Sequence, residues 1–347
     1  MKAVIFREHG GPEKLEYVEN FPDPVLAQDE ALVRVRATAL NRLDIWVRQG
    51  LPGLKVPLPH ISGCDASGEI ARLGSGVKGW IAGEAVVISP GISCFKCPFC
   101  LEGRDNLCVA YGILGEHVPG GLAEFVKVKA RQLAAKPKNI SFEEAAAYPL
   151  TFLTAWHMLM TQGNLAAGNS VLILGAASGI GVAAIQIAKL AGAKPILAVA
   201  GNEDKLDKAR ALGADITILS KPDGSTPFYR EALVATDSRG VDIVFEHVGP
   251  ATMANSIKSV KKGGIIVTCG ATAGPEAPID LRYFFTREIR LQGSIMGTLA
   301  EFQKITQLVE EKKLCPVIDS VWGLKDARGA QEKMLSRQFF GKIVLVP

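Results

Sequence analysis

The chain has 347 residues, 48% of them hydrophobic, and its 39 Lys and Arg nearly balance 35 Asp and Glu, for a net charge of +4. That length exceeds what one hydrophobic core usually serves, so two domains are expected, and the composition suits a folded α/β protein rather than a disordered chain. The charge is too small and mixed to indicate a nucleic-acid partner, no apolar run reaches membrane-spanning length, and the N-terminus turns polar too early for a signal peptide. A cytoplasmic protein acting on a small molecule is expected, with no nucleic acid and no membrane.

Met1–Arg7, Leu15–Val18 and Ala31–Ala37 read as short strands. The third alternates apolar and polar residues, the pattern of a half-buried strand. Asn41–Gln49 predicts a short helix closed by Gly50. Gly63–Leu73, Ala85–Ser89 and Gly120–Val128 are again strand-like. This part is mostly β with few long helical patterns, so a partly open β-barrel is expected.

Inside it lie Cys94, Cys97, Cys100 and Cys108, spaced C-x2-C-x2-C-x7-C. Four thiolates this close form a tetrahedral S4 site, which suits zinc, whereas the spacing and following Pro of a ferredoxin-type run are absent. With all four positions filled by protein, the expected zinc, one per chain, is structural. Ser141–Ala147 predicts a helix capped by Ser141, with Glu143 and Glu144 in its first turn. Leu150–Met160 is a second helical segment.

Ser170–Lys205 organises the remainder. Val171–Leu174 is a wholly apolar run, Gly175–Gly181 a turn of small residues, Val182–Leu190 helical, and Pro195–Ala200 a second apolar run. This is a βαβ unit with a glycine turn at its first corner, where backbone amides at a helix N-terminus can approach a dinucleotide pyrophosphate. In A-A-S-G-I-G (Ala176–Gly181), Ala176 and Ser178 replace the first two glycines of the usual fingerprint. Alternation then continues through Leu206–Leu212 (helix), Ile216–Leu219 (strand), Pro227–Thr236 (helix), Val241–Phe245 (strand), Ala251–Val260 (helix), Ile265–Thr268 and Ile289–Ile295 (strands). Such alternation predicts a doubly wound parallel sheet. Helices at Glu301–Lys312 and Ala327–Ser336 and a strand at Lys342–Val346 close the chain.

An NAD site usually places an acid at the end of the second strand. Here Ala200–Gly201 stands there, followed by Asn202 and Lys205. NADPH is therefore expected, with NADH as the alternative. Asn202 also reads as the cap of the next helix, with Glu203 and Asp204 in its first turn, and Lys205 as a solvated lysine.

The four-Cys lobe, the A-A-S-G-I-G turn, L-G-A-D at Leu212–Asp215, V-D-I-V-F-E-H-V-G at Val241–Gly249, G-G-I-I-V-T-C-G at Gly263–Gly270 and F-G-K-I-V-L at Phe340–Leu345 carry a resemblance over nearly the whole length. The chain resembles the medium-chain dehydrogenase/reductases, that is, the zinc alcohol dehydrogenases and their quinone-oxidoreductase relatives. The resemblance implies a GroES-like barrel domain at 1–150 with its zinc lobe at 91–110, completed by 297–347, and a Rossmann domain at 151–296. It also implies that Asn41 and Thr154 lie beside the nicotinamide. Ser178, Gly179 and Ile180 would meet the pyrophosphate, with Lys342 reaching it from the last strand. Gly201, Asn202 and Lys205 would face the 2′-phosphate, and Val248, Gly249, Gly270 and Thr272 would line the strand ends.

The alcohol dehydrogenases of this family use a second, catalytic zinc, and this sequence departs from their ligands. Asn41 stands for the first Cys, Cys64 for the His, Asp65 for the neighbouring Glu, and Leu150 or Pro149 for the third ligand. The leading expectation is thus hydride transfer from NADPH to a quinone, enone or enoyl thioester without catalytic zinc. Two alternatives stand beside it. One is an alcohol dehydrogenase whose metal sits on Cys64, Asp65 and Asp44; the other is an NADPH-binding sensor or structural protein without turnover. Asp44, Cys64 and His157 are the candidate proton donors, although Asp44 also reads as a partner for Arg48. The strand Ile289–Ile295 reads as a sheet edge through which two chains would pair, giving a homodimer or homotetramer.

Overall fold

Short apolar runs separated by amphipathic helices build the sheet of residues 151–296 in the computed structural model, which describes residues 1–221 and 225–347. The chain divides into two units, Met1–Leu150 with Gly297–Pro347 and Thr151–Met296. Among the described residues, no helix is long and apolar enough to cross a membrane.

The parallel-sheet unit contains β1 (Val171–Ile173), β2 (Ile196–Ala200), β3 (Ile216–Leu219), β4 (Val241–Glu246), β5 (Val260–Thr268) and β6 (Arg290–Gly293). Their order is β3-β2-β1-β4-β5-β6, every pairing parallel. β1 and β2 are buried along their whole length, because helices cover both faces. The order reverses between β1 and β4, and ligands of such sheets bind outside the strand ends at that reversal. The helix expected at Ala251–Val260 runs Pro250–Ser259 instead. Val260 already pairs with Val241, and the register shifts before Ile265, where Gly263 adopts φ +71° in a β-bulge that only the strand pairing reveals. A helix at Leu281–Arg287, capped by Asp280, was not apparent from spacing.

In the barrel unit the long strand Glu30–Ala39 is the hub. It pairs antiparallel with Asp65–Leu73, Phe125–Lys129 and the terminal strand Lys342–Val346. Two register shifts against Asp65–Leu73 bend the sheet, as closure of a barrel requires. Gly120 and Gly121, expected in a strand, instead lie against Gly63: a Cβ on Gly120 would sit 2.3 Å from the Gly63 carbonyl oxygen. The strand Ile318–Gly323, parallel to Lys342–Val346, carries no clear alternation and was missed.

Candidate functional site

Three chain segments meet at the end of Glu30–Ala39. Asn41 caps the helix Arg42–Gln49, Asp65 opens its strand, and Lys342 opens the terminal strand. All three side chains are buried. Lys342 Nζ donates to Asn41 Oδ1 at 2.6 Å and to Asp65 Oδ2 at 2.9 Å. With its oxygen so engaged, Asn41 turns its amide nitrogen to Asp65 Oδ2 (2.8 Å), Cys64 Sγ (3.1 Å) and the Ala39 carbonyl (3.3 Å). Asp65 Oδ1 accepts from the Leu150 N–H at 2.8 Å. Asp44 accepts from the Asn41 N–H (2.7 Å) and the Gly63 N–H (2.8 Å), one on each oxygen. Burial pushes the Asp44 carboxyl up to about 6 and outweighs both hydrogen bonds. Burial, with Asp44 and Asp65 nearby, holds the Cys64 thiol well above its ordinary value, so it stays protonated.

The alternative pairing of Asp44 with Arg48 is corrected. Arg48 is buried with other partners: Nε donates to Gln331 Oε1 at 2.9 Å and Nη1 to the Gly10 carbonyl. Four residues of helix place the two near one another in sequence terms, but the barrel draws Asp44 inward to Gly63.

As a metal site this cluster fits poorly. Every carboxylate oxygen of Asp44 and Asp65 already accepts an N–H, and the Lys342 ammonium supplies a cation at Asp65. Among the described residues, the one grouping of His, Cys, Asp and Glu with metal-holding geometry is Cys94, Cys97, Cys100 and Cys108, whose sulfurs lie within 4.8 Å of one another. Zinc–sulfur bonds of about 2.3 Å in a tetrahedron place sulfurs about 3.8 Å apart. Cys94 and Cys100 sulfurs lie at 3.9 Å and those of Cys97 and Cys100 at 3.5 Å. Backbone N–H groups of Val109 and Cys100 pull the Cys97 thiol down to about 6. Burial and the neighbouring sulfurs push Cys100 up to about 12. Four thiolates at this spacing need a cation to ionise together.

In the parallel-sheet unit, Ser178 caps the helix Gly179–Leu190 that follows β1. Its Oγ accepts from the Gly181 N–H (3.1 Å) and donates to the Gly175 carbonyl (2.8 Å). The N–H groups of Gly179 and Ile180 belong to the same first turn, where helices seat phosphates. Gly175 has φ +54°, and a Cβ there would meet the His247 ring at 2.8 Å. His247 itself bonds the Leu174 carbonyl through Nε2 (2.9 Å), tying β4 to β1 at the reversal. Thr272 Oγ1 reaches the His247 carbonyl (3.0 Å), and Gly270 packs on the same carbonyl. Val248 and Gly249 follow β4, with their N–H groups on Glu246 Oε1 (2.7 and 3.1 Å).

At the end of β2, Asn202 Oδ1 accepts from the Lys205 N–H at 3.0 Å and so caps the next helix. Asp204 pairs with Lys208 at 2.8 Å, and no acid stands at the strand end itself. Gly201 is open, with the Ser220 carbonyl 3.8 Å from where a Cβ would lie. Thr154 is buried with Oγ1 3.8 Å from Met296 Sδ. His157 is buried and faces Gln162 at 3.0 Å across a π-helical stretch, where residues five apart share a face. Sequence reasoning overlooked Glu246 and the Lys342–Asn41–Asp65 network. The first looks like an ordinary strand residue, and the second joins positions 301 and 277 residues apart.

Residues 27–138 match the family model of the alcohol dehydrogenase GroES-like domain, and residues 179–311 that of the zinc-binding dehydrogenases. The chain belongs to the medium-chain dehydrogenase/reductase superfamily and is an NAD(P)-dependent oxidoreductase. It is similar to a crotonyl-CoA carboxylase/reductase of Cereibacter sphaeroides, 35% identical over 97% of this chain and 84% of that protein. A crystal structure of an NAD-dependent alcohol dehydrogenase is 45% identical with a TM-score of 0.95, covering 100% of both chains. A 2-octenoyl-CoA carboxylase reductase solved with NADP and 2-octenoyl-CoA is 28% identical with a TM-score of 0.91, covering 99% of this chain and 87% of that one.

Proposed function

We propose that this protein reduces an activated acceptor, foremost an enoyl thioester and otherwise an enone or quinone, with NADPH and without a catalytic metal. One observation carries this reading: every carboxylate oxygen of Asp44 and Asp65 is already engaged by donors of the chain, with Lys342 as the buried cation. Oxidising a simple alcohol is difficult without a Lewis acid to lower the hydroxyl pKa and hold the alkoxide. A conjugated acceptor delocalises its developing charge and needs only orientation and one proton. NADPH supplies the hydride when bound.

The first-turn amides of Gly179 and Ile180 and the cap Ser178 would hold the pyrophosphate. Gly201, Asn202 and Lys205 would leave room and positive charge for a 2′-phosphate. Thr154, Val248, Gly249, Gly270 and Thr272 would complete the nucleotide contacts. Cys64 keeps its proton at neutral pH, and Asp44, raised to about 6, keeps its proton only below that pH; both are candidate sources for the acceptor, and His157, engaged by Gln162, is the weaker one. Asn41 and Lys342 bond one another and Asp65, so both would fix the cluster, Asn41 at the nicotinamide end, and Lys342 would serve there rather than reach the pyrophosphate. Cys94, Cys97, Cys100 and Cys108 would hold one structural zinc, supplying no chemistry.

The 45% identical alcohol dehydrogenase favours a second reading, alcohol oxidation with NAD+. An assay of short-chain enoyl-CoA, enone and quinone reduction against alcohol oxidation, each with both nucleotides and with or without a zinc chelator, separates the two. The expected result is chelator-resistant NADPH oxidation with a conjugated acceptor and a lower KM for NADPH than for NADH. Alcohol-dependent reduction of NAD+ that a chelator abolishes at once would establish the second reading. Tight nucleotide binding with no turnover on any acceptor would favour the third alternative, a sensor or structural protein.

A further inference from the structure

Glu246 is the last residue of β4 and is fully buried, yet four donors of its own chain surround its carboxylate. Oε1 accepts from the Val248 N–H (2.7 Å) and the Gly249 N–H (3.1 Å). Thr252 Oγ1 lies 3.0 Å from Oε1 and 2.9 Å from Oε2. Ser256 Oγ donates to Oε2 at 2.6 Å. Successive backbone N–H groups leading into a helix form a ready anion seat. At the helix Pro250–Ser259 that seat is filled by the chain's own carboxylate.

The consequence is geometric. Gly249 has φ +93°, a conformation that glycine adopts without steric cost and that needs external restraint to be unique. From below, Glu246 holds the N–H groups of residues 248 and 249. From above, the Val248 carbonyl accepts from the Ala273 N–H at 2.8 Å, and the His247 carbonyl from Thr272 Oγ1 at 3.0 Å. The strand-end turn is therefore pinned on both sides, beside β1, at the point where the strand order reverses.

We infer that Glu246 is a positioning residue for the dinucleotide: it fixes the 247–249 backbone against which the nucleotide lies and does not touch the ligand itself. The inference rests on the reading of this unit as the nucleotide site. Because the effect acts through the backbone, it does not discriminate the 2′-phosphate, and NADPH and NADH suffer alike when it is lost.

The test is nucleotide titration by fluorescence, with steady-state kinetics, on the full-length wild type, Glu246→Ala and Glu246→Gln. Alanine leaves the partly buried Val248 N–H and the buried Gly249 N–H without an acceptor and frees the turn. The Kd for both nucleotides is expected to rise about tenfold, the scale of one lost charge-assisted hydrogen bond. At saturating nucleotide, kcat and the acceptor KM should stay within about twofold of wild type, since the reacting atoms are not involved. Glutamine keeps an oxygen for the two N–H groups, and the Thr252 and Ser256 hydroxyls can turn to accept from its amide, so it should restore affinity. If Glu246→Ala is insoluble, the double variant Thr252→Val with Ser256→Ala releases the carboxylate from the helix and should raise both Kd values about threefold. A lowered Tm with unchanged Kd in either soluble variant overturns the inference and leaves Glu246 merely structural. A wild type that binds neither nucleotide overturns this inference together with the reading it rests on.

Discussion

Asp44 behaves unlike an ordinary helix carboxylate because burial wins over its two N–H partners. Its folded-state pKa of about 6 stands above the ordinary value of 3.8, so the native state holds the proton more tightly than the unfolded chain does. By linkage, the stability due to that proton is complete below about pH 4 and is lost as pH rises through about 6. The stability of wild type relative to Asp44→Asn should therefore fall across that window, by about 3 kcal/mol in all. Urea denaturation of both proteins at several pH values measures this; a constant difference would remove the shifted carboxyl. Asn41, Cys64 and Asp65 could be singled out from the sequence as occupants of positions where ligands were expected. That Lys342 binds Asn41 and Asp65 was not legible, because the strand pairing that delivers it, Val344 to Ala39, is a long-range event.

The helix Gly179–Leu190 shows what one element can announce by itself. Its small-residue turn and apolar spacing were readable, but the spacing predicted a start at Val182, and the helix begins three residues earlier, directly after Ser178, whose cap was not read. Gly181 allows it to lie against β1: a Cβ there would be 2.4 Å from the Gly175 carbonyl oxygen and 2.7 Å from Ala176 Cα. Gly181→Ala should push the helix off the strand, cost about 1–3 kcal/mol of stability and reduce the rise in Tm that NADPH produces. An undiminished shift on adding NADPH would show that the first turn can move without harm to binding. Elements without such local signals escaped. Ile318–Gly323 exists because Lys342–Val346 offers it a parallel partner, and Gly120–Gly121 leaves the expected strand because Gly63 draws its backbone close.

At the scale of the molecule, metal content and assembly are the measurable consequences. Elemental analysis should find about one zinc per chain, set by the four-Cys geometry. Cys97→Ser should lose that zinc and lower Tm, while the zinc-loaded protein turns over in the presence of a chelator. Two zincs per chain would place metal outside the lobe and favour alcohol oxidation. The β6 edge strand, Arg290–Gly293, has every residue exposed and one sheet neighbour, so its free side can pair with a second copy. Sedimentation should show a dimer or its multiple, and Gln292→Pro should yield monomer; a wild-type monomer would end that proposal.

The parallel sheet and the cysteine lobe were written locally. Apolar runs, a glycine turn, and four thiols within fifteen residues each carry their meaning over a span shorter than one supersecondary unit. The polar interior of the barrel was not. Whether Asp65 faces a metal or an ammonium, and whether Asp44 meets Arg48 or Gly63, depends on which distant segments the barrel brings together. Burial then sets the charge each group carries, and burial is a property of the folded chain rather than of any stretch of it.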